Sequence, residues 1–425
     1  MEKYDLIVVG GGLSGVAASV SCARNGGKVL LIEKSGCLGG AISNNLVYPF
    51  TNCWTYMPDT NEKRYVNGGV FAELRDREER YRVSFGEEKD VPEYLFKPEY
   101  YKFILDDITT EAGVEILFHS ALIDVTVSDR YIKSVTLMTP SGKVEVCAKY
   151  FIDSTGNGEL LYMSGCECQV GREDDGLCQP MTTCFRMSGV DTDRFKKEHK
   201  HLNELYQEYQ SKGKISNPRE NILVFYGIGK GILHFNTTRV VKLNPTKVLD
   251  LSRAEIEARR QVREMIQFLK DNSTAFDNST VVSVATEIGV RESRKLVGVH
   301  ILTAQELKEL VHFDDVIALG NYDIDIHNPS GSGTDHYYFG KGEYYQIPYR
   351  SLLPKEYDNL LASGRCISAT HEANASIRVM PICSCTGEAA GVAVAVALKD
   401  NTKLCEVDIK CVQSILRDSG AILEV

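Results

Sequence analysis

Six residues near the start of the chain constrain its fold more than any other feature: Gly10-x-Gly12-x-x-Gly15. They sit between an apolar run, Tyr4 to Val9, and a small-residue run, Val16 to Arg24. A second apolar run, Lys28 to Ile32, follows and is closed by Glu33. The pattern reads strand, turn, helix, strand. In such a unit the first glycine makes the tight turn, the second lets backbone approach a pyrophosphate, and the third lets helix pack on strand. Leu13 and Ser14 open the helix, whose free N–H groups and partial positive charge face the phosphates. Glu33 stands eighteen residues beyond Gly15, placed to accept ribose hydroxyls, and a carboxylate there disfavours a 2′-phosphorylated ligand.

More of the chain converges on the same ligand. Lys34 and a second glycine loop, Gly39-Gly40, follow Glu33. A Thr155-Gly156 turn ends a later strand, Val144 to Ile152 with Asp153, and Gly364-Arg365 follows another. A long flexible ligand touched from several distant segments explains this better than NAD held by one compact unit, so FAD is expected. The fold class is α/β: a Rossmann-like FAD-binding domain built from residues 1–165 and 349–425, with an inserted α+β substrate domain over 166–348. Within it, helices are expected over Asp193 to Lys212 and Arg253 to Lys270. A solvated helix covers Glu73 to Arg82, another runs from Pro98 to Ala112, and a small-residue helix runs from about Thr386 to Leu398.

The order of these segments resembles the glutathione-reductase-type FAD superfamily. More narrowly it resembles the FAD-dependent oxidoreductase family related to fumarate reductase flavoproteins and the heterodisulfide reductase A subunit. The residues that carry the resemblance are Asp5 through Gly15, Ile32-Glu-Lys, Gly39-Gly40 and Phe151-Ile-Asp-Ser-Thr-Gly156. Ile347 through Pro354, Leu360 through Arg365, Ser376 through Pro381 and Gly387 through Gly391 complete it. The resemblance implies that Gly10, Gly12, Gly15, Glu33, Lys34, Gly39 and Gly40 contact the ADP half. It puts Thr155 and Gly156 near the adenine end and Gly364 and Arg365 near the ribitol and pyrophosphate. Gly387 and Ala390, at the start of the expected C-terminal helix, would lie close to the flavin ring, where a helix dipole stabilises negative charge.

Candidates on the reacting side are His371, Arg378 and His327. His327 closes Asp323-Ile-Asp-Ile-His, just before a Ser330-Gly-Ser-Gly loop, and a histidine can exchange protons near neutral pH. His371 and Arg378 match a family pattern in which Asn374 stands where a second histidine is common. Arg378 can fix a carboxylate. Arg291-Glu292-Ser293-Arg294 reads most simply as a salt-bridged turn, with a substrate role as the minor alternative. Tyr337, Tyr338, Phe339, Tyr344 and Tyr345 are an alternative aromatic wall, and Arg259, Arg260 and Arg263 a solvated helix face.

A net charge of −10 with no basic block gives no footprint for nucleic acid or an anionic membrane. No apolar run is read as long enough to span a bilayer, and thirteen cysteines without a CxxC read as reduced thiols in a cytoplasmic protein without a metal site. The expected activity is hydride transfer between FAD and a small polar organic substrate. The alternatives are a fumarate-reductase-like enoate reductase, with Arg378 and Arg350 as clamps, and a flavin-binding electron-transfer subunit. Residue types leave the oligomeric state open.

Overall fold

In a computed structural model, which describes residues 3–51, 53–88 and 91–425, the opening pattern folds as its spacing predicts. Strand β1 (Lys3–Val9) leads into helix α1 (Leu13–Arg24) and then β2 (Val29–Ile32), parallel to β1. Leu6, Ile7 and Val8 are fully buried, as suits a strand whose neighbours are parallel and whose faces are both covered. β3 (Glu115–Leu117) extends the sheet beyond β2. An antiparallel meander, β4 (Ala121–Ser128), β5 (Tyr131–Thr139) and β6 (Gly142–Asp153), brings β6 back parallel to β1. The strand Leu360–Ala362, more than two hundred residues later, completes this seven-stranded sheet by pairing with β6. Helices α2 (Gly69–Ser84) and α3 (Pro98–Glu111) belong to the same unit. α2 is less solvated than its charge suggests, because Glu78 and Arg82 are buried as an ion pair 2.8 Å apart.

A second sheet is antiparallel throughout, with β7 (Phe185–Ser188), β8 (Val224–Phe225), β9 (Leu233–Phe235) and β10 (Thr280–Val284) in the order β8-β9-β7-β10. Side chains alternate between faces along a strand. Phe185, Met187, Leu233 and Phe235 therefore share one face, where they form a core with Phe195, Leu202 and Tyr206 of α4 (Thr192–Ser211) and with Val262 and Met265 of α5 (Val248–Asn272). Burying each such side chain contributes about 1.5–3 kcal/mol. The opposite face carries Arg186 and His234 and looks toward the first unit, the His234 ring lying 5.4 Å from that of Tyr48.

This second core runs only from Phe185 to Phe276. Leu296, Leu302, Ile317, Tyr345 and Ile347, expected in the inserted domain, pack instead in the core of the first sheet. The hairpin-like pair Val316–Gly320 with Tyr345–Pro348 carries this segment back onto the first unit.

The small-residue helix α6 (Met380–Asp400) starts six residues earlier than expected, with Pro381 in its first turn, where a missing N–H costs nothing. It lies against α1 so closely that a Cβ at Gly387 would stand 2.1 Å from the Ser14 carbonyl oxygen. One at Gly391 would stand 2.1 Å from that of Ala18. By length and composition α6 is apolar enough to cross a membrane, against the expectation from the sequence, but 89% of its most apolar window is buried inside the fold.

Candidate active site

One cavity of about 680 Å³ runs from the glycine motif to the second sheet. At its first end the walls are Gly10, Gly12, Leu13, Ser14, Glu33, Lys34, Gly39 and Gly40, joined by Thr155, Gly156, Gly364 and Arg365. Twelve of the fifteen residues expected to touch the cofactor thus border one space. Gly15, Gly387 and Ala390 do not. A Cβ on Gly15 would stand 1.8 Å from the Gly10 carbonyl oxygen, so this glycine serves helix–strand packing. Gly387 presses on Ser14, and Ala390 is wholly buried in the same helix. The helix terminus that does border the cavity is Val379-Met380, with Cys383 one turn in.

The cradle fits a dinucleotide. Gly10, at φ +102°, has no room for a side chain, because a Cβ would meet the Ser154 carbonyl at 2.5 Å. Gly12 is different. Its φ of −68° suits any residue, and no protein atom lies within 4 Å of where its Cβ would be. The space over Gly12, at the α1 N-terminus, is therefore kept open toward the cavity where a pyrophosphate would approach. Glu33 is held by two backbone N–H donors, Gly11 to one oxygen and Ser35 to the other, both at 2.7 Å. Each oxygen keeps a lone pair for a ribose hydroxyl. Arg365 donates to the Gly156 carbonyl at 2.8 Å and to Asn157 Oδ1 at 2.6 Å, tying the two later turns together.

At the other end a hairpin, Ile324–His327 with Thr334–Tyr337, brings Asp325, His327, Thr334 and His336 to the cavity wall. Asp325 and His327 are two apart in one strand and so share a face. Asp325 Oδ2 accepts from Tyr322 Oη at 2.9 Å and lies 3.1 Å from His327 Nε2. Its Oδ1 is buried without a hydrogen-bond partner, and His336 Nε2 stands 3.6 Å from it. The tautomer follows from the other ring nitrogen. Arg239 Nη2 lies 3.1 Å from His327 Nδ1, and a guanidinium can only donate. Nδ1 therefore accepts, and the proton sits on Nε2, donated to Asp325. Burial holds His327 well below its usual range, with the Arg291 charge adding and Asp325 opposing. For Asp325 burial pushes up, but His327, Arg378 and Tyr322 together prevail and hold the carboxyl far below its usual range. The same Arg239 grips the hairpin tip through the Gly333 carbonyl at 2.8 Å.

Arg219, Arg291 and Arg378 also border this end. Arg291 donates to the Pro180 carbonyl at 2.6 Å, Arg219 to Asn221 Oδ1 at 3.3 Å and Arg378 to Gln179 Oε1 at 3.4 Å, all neutral acceptors. Glu220 stands 3.7 Å from Arg219, and Asp325 stands 3.8 Å from Arg378. Burial, with Arg378 and Arg219 nearby, lowers Arg291 to about 9.

Of the three reacting residues expected from sequence, His327 and Arg378 reach the cavity and His371 does not. His371 is buried with its Nδ1 2.7 Å from Glu292, a carboxylate also paired to Lys295 and accepting from the Gln179 N–H. Its helix begins at His371 with Thr370 as N-cap, and the His371 side chain is buried against Glu292 rather than bordering the cavity. Arg291 was read as a turn residue and belongs to the site, while Arg350 lies outside it, 3.5 Å from Asp315. Tyr337, Tyr338, Phe339, Tyr344 and Tyr345 do not border the cavity; its aromatic wall is Tyr48, Phe50, Phe225 and Tyr322. Asp325, Arg219 and Tyr48 were missed. The two-residue spacing of Asp325 and His327 was a usable signal for the first, whereas Arg219 follows Asn217-Pro218 in a stretch without pattern.

A family model described as FAD dependent oxidoreductase matches residues 5–416. This chain belongs to that family. It is an oxidoreductase, and its cofactor is FAD. Protein FixC of Azorhizobium caulinodans is 28% identical over 168 residues, 38% of this chain and 38% of that protein. Glutathione reductase of Debaryomyces hansenii is 44% identical over 66 residues, 15% of this chain and 13% of that enzyme. These alignments span well under half the length of either relative. Among solved structures, a geranylgeranyl bacteriochlorophyll reductase-like protein from Thermoplasma acidophilum aligns with 98% of the oxidoreductase and 83% of its own chain, at 13% identity and TM-score 0.47. The myxobacterial chondrochloren halogenase CndH aligns over 99% and 79%, at 14% and 0.47.

Proposed function

We propose that this oxidoreductase transfers hydride between FAD and a small polar organic substrate that carries a carboxylate, such as a hydroxy acid. The observation that carries the reading is a cluster of three guanidiniums bordering one end of the cavity, in which Glu220 and Asp325 stand 3.7 and 3.8 Å from Arg219 and Arg378, and Arg291, among the described residues, has only neutral oxygens as partners. Buried cations need compensating charge, and a substrate carboxylate supplies it. In this reading Gly10 through Ser14 hold the pyrophosphate, Glu33 the ribose, Thr155 and Gly156 the adenine side, and Gly364 and Arg365 the ribitol side. FAD, when bound, supplies the hydride acceptor or donor.

The chain's own residues do the rest. The three arginines orient the carboxylate. Asp325 Oδ1 accepts the hydrogen bond of the substrate hydroxyl and passes its proton to His336, whose Nε2 lies 3.6 Å away, as substrate is oxidised, or takes it back in the opposite direction. His327 and Tyr322 hold the carboxylate through Oδ2 and leave Oδ1 without a hydrogen bond, beside His336. Tyr48, Phe50 and Phe225 exclude water. A reducing, cytoplasmic setting belongs to the reading and fits thirteen cysteines without a CxxC in the sequence.

The test is anaerobic mixing of the FAD-loaded protein with hydroxy acids and with neutral alcohols of equal length. Hydroxy acids are expected to bleach the flavin, and Arg291→Met to weaken their binding by about 10–100-fold, the worth of a charged hydrogen bond. Equal bleaching by neutral alcohols, unchanged by Arg291→Met, would overturn the carboxylate assignment.

A further inference from the structure

Beyond the cavity, the second sheet holds a row of polar groups that the reaction above does not use. Register aligns it: Phe225 opposite His234, His234 opposite Arg186, and Arg186 opposite Ser283, across four adjacent strands and on one face. It is the face turned toward the first unit, with the Tyr48 ring 5.4 Å from His234 and Glu99 of α3 at 3.4 Å from Arg186. The same face borders the cavity one step along each strand, through Cys184, Asn236 and Leu223.

The described residues leave most of this row without hydrogen-bond partners. Arg186 is 5% exposed and His234 is 0% exposed. Arg186 Nε and Nη2, both ring nitrogens of His234, and Ser283 Oγ are buried without a hydrogen-bond partner. The one carboxylate within reach, Glu99, meets only Nη1, is mostly exposed, and pairs more closely with Lys102, at 2.7 Å. The unmatched edge is the informative part. Nε–H and Nη2–H of a guanidinium point in parallel, at the spacing of the two oxygens of a carboxylate or phosphate. A buried guanidinium with that edge free is a costly arrangement unless an anion completes it.

We propose that Arg186, with His234 and Ser283, forms a second oxyanion site behind Tyr48, separate from the Arg219–Arg291–Arg378 end of the cavity. Arg186 takes a carboxylate or phosphate group side-on, and His234 and Ser283 donate to its oxygens. Two sources share this chemistry. One is a free anion, which would make the site a regulatory position. The other is the far carboxylate of a dicarboxylate substrate that passes Tyr48; this version rests on the function proposed above.

The experiment is calorimetric titration of the FAD-loaded protein with acetate, inorganic phosphate and a series of straight-chain dicarboxylates. The variants are Arg186→Met, Arg186→Lys and Arg219→Met, with the flavin spectrum as the check on folding. For a free-anion site, acetate or phosphate binds the wild type and Arg219→Met alike. Affinity then falls about tenfold or more in Arg186→Met, and also in Arg186→Lys, which keeps the charge but loses the two-pronged edge. For the far end of a substrate, only dicarboxylates bind, and both Arg186→Met and Arg219→Met weaken them. Dicarboxylate binding lost in Arg219→Met but intact in both Arg186 variants would overturn the second site and leave the active-site reading standing. Anion binding that ignores every variant would overturn it too. Should Arg186→Met fail to hold flavin, Ser283→Ala and Arg186→Lys decide between the same outcomes.

Discussion

The two oxygens of Asp325 have different tasks: Oδ2 is tied to Tyr322 and His327, and Oδ1 makes no hydrogen bond, with His336 Nε2 3.6 Å away. Asp325→Asn keeps the shape and removes the acceptor charge, so turnover is expected to fall about 10²-fold or more while the flavin spectrum and KM change little. Stopped-flow reduction of the bound flavin measures this directly. The histidines set a pH dependence of stability. Burial holds His234 at about 3, against 6.5 for an ordinary histidine. Below 6.5 the unfolded chain takes up a proton that the folded one refuses, so stability present above 6.5 is lost as the pH falls toward 3. The loss from this one residue is about 1.4 kcal/mol per pH unit. Urea titrations at pH 7 and pH 5, in buffers free of carboxylate and phosphate, are expected to show it, and His234→Gln to shrink it. Cysteine chemistry points the same way for the cofactor. Cys184 and Cys383 border the cavity, and burial pushes both thiols up to about 12. Such thiols stay protonated and are poor nucleophiles. FAD is therefore expected in the supernatant after denaturation, and yellow colour retained in the precipitate would contradict this.

Among the elements, the contact of α6 with α1 is the most sensitive to single atoms. Gly387 and Gly391 are one turn apart on the face against α1, each touching a carbonyl oxygen that cannot move without moving the glycine motif. Gly387→Ala is expected to destabilise the fold by about 1–3 kcal/mol and to weaken FAD retention, since Ser14 borders the cavity. Thermal melts followed by flavin fluorescence report both. Here the limits of sequence reading are physical. Glycines that let a helix approach a cofactor and glycines that let it approach another helix carry the same signature, and only packing separates Gly387 from Gly12. Likewise His371 and His327 each border a small-residue or glycine segment. One faces inward to Glu292 and the other to the cavity because their elements point differently. The βαβ unit was legible because its turn, helix and acid depend on local spacing. The arginine end was not, because Arg219, Arg291 and Arg378 meet only through the tertiary fold.

Across the whole molecule, the cavity joins the two sheets, so occupancy at one end is expected to stabilise the structure as a unit. FAD at a hundred times its Kd adds about 2.7 kcal/mol, and calorimetry of the protein stripped of flavin and then reloaded checks the rise in Tm. The expected division at residue 348 misplaces the segment around Ile317 and Ile347, because apolar runs do not announce which of two cores will receive them. One topological fact reaches further. β1 and α1 form first in the chain, but β6 lacks its outer partner until Leu360–Ala362 is made, and α1 lacks its packing partner until α6 is made. During synthesis, then, the glycine turn meets the Gly39 loop and Ser154 well before α6 can pack on its helix. Residues 364–383 must emerge before the nucleotide cradle acquires its far wall. Cofactor capture is thereby expected to follow the synthesis of α6.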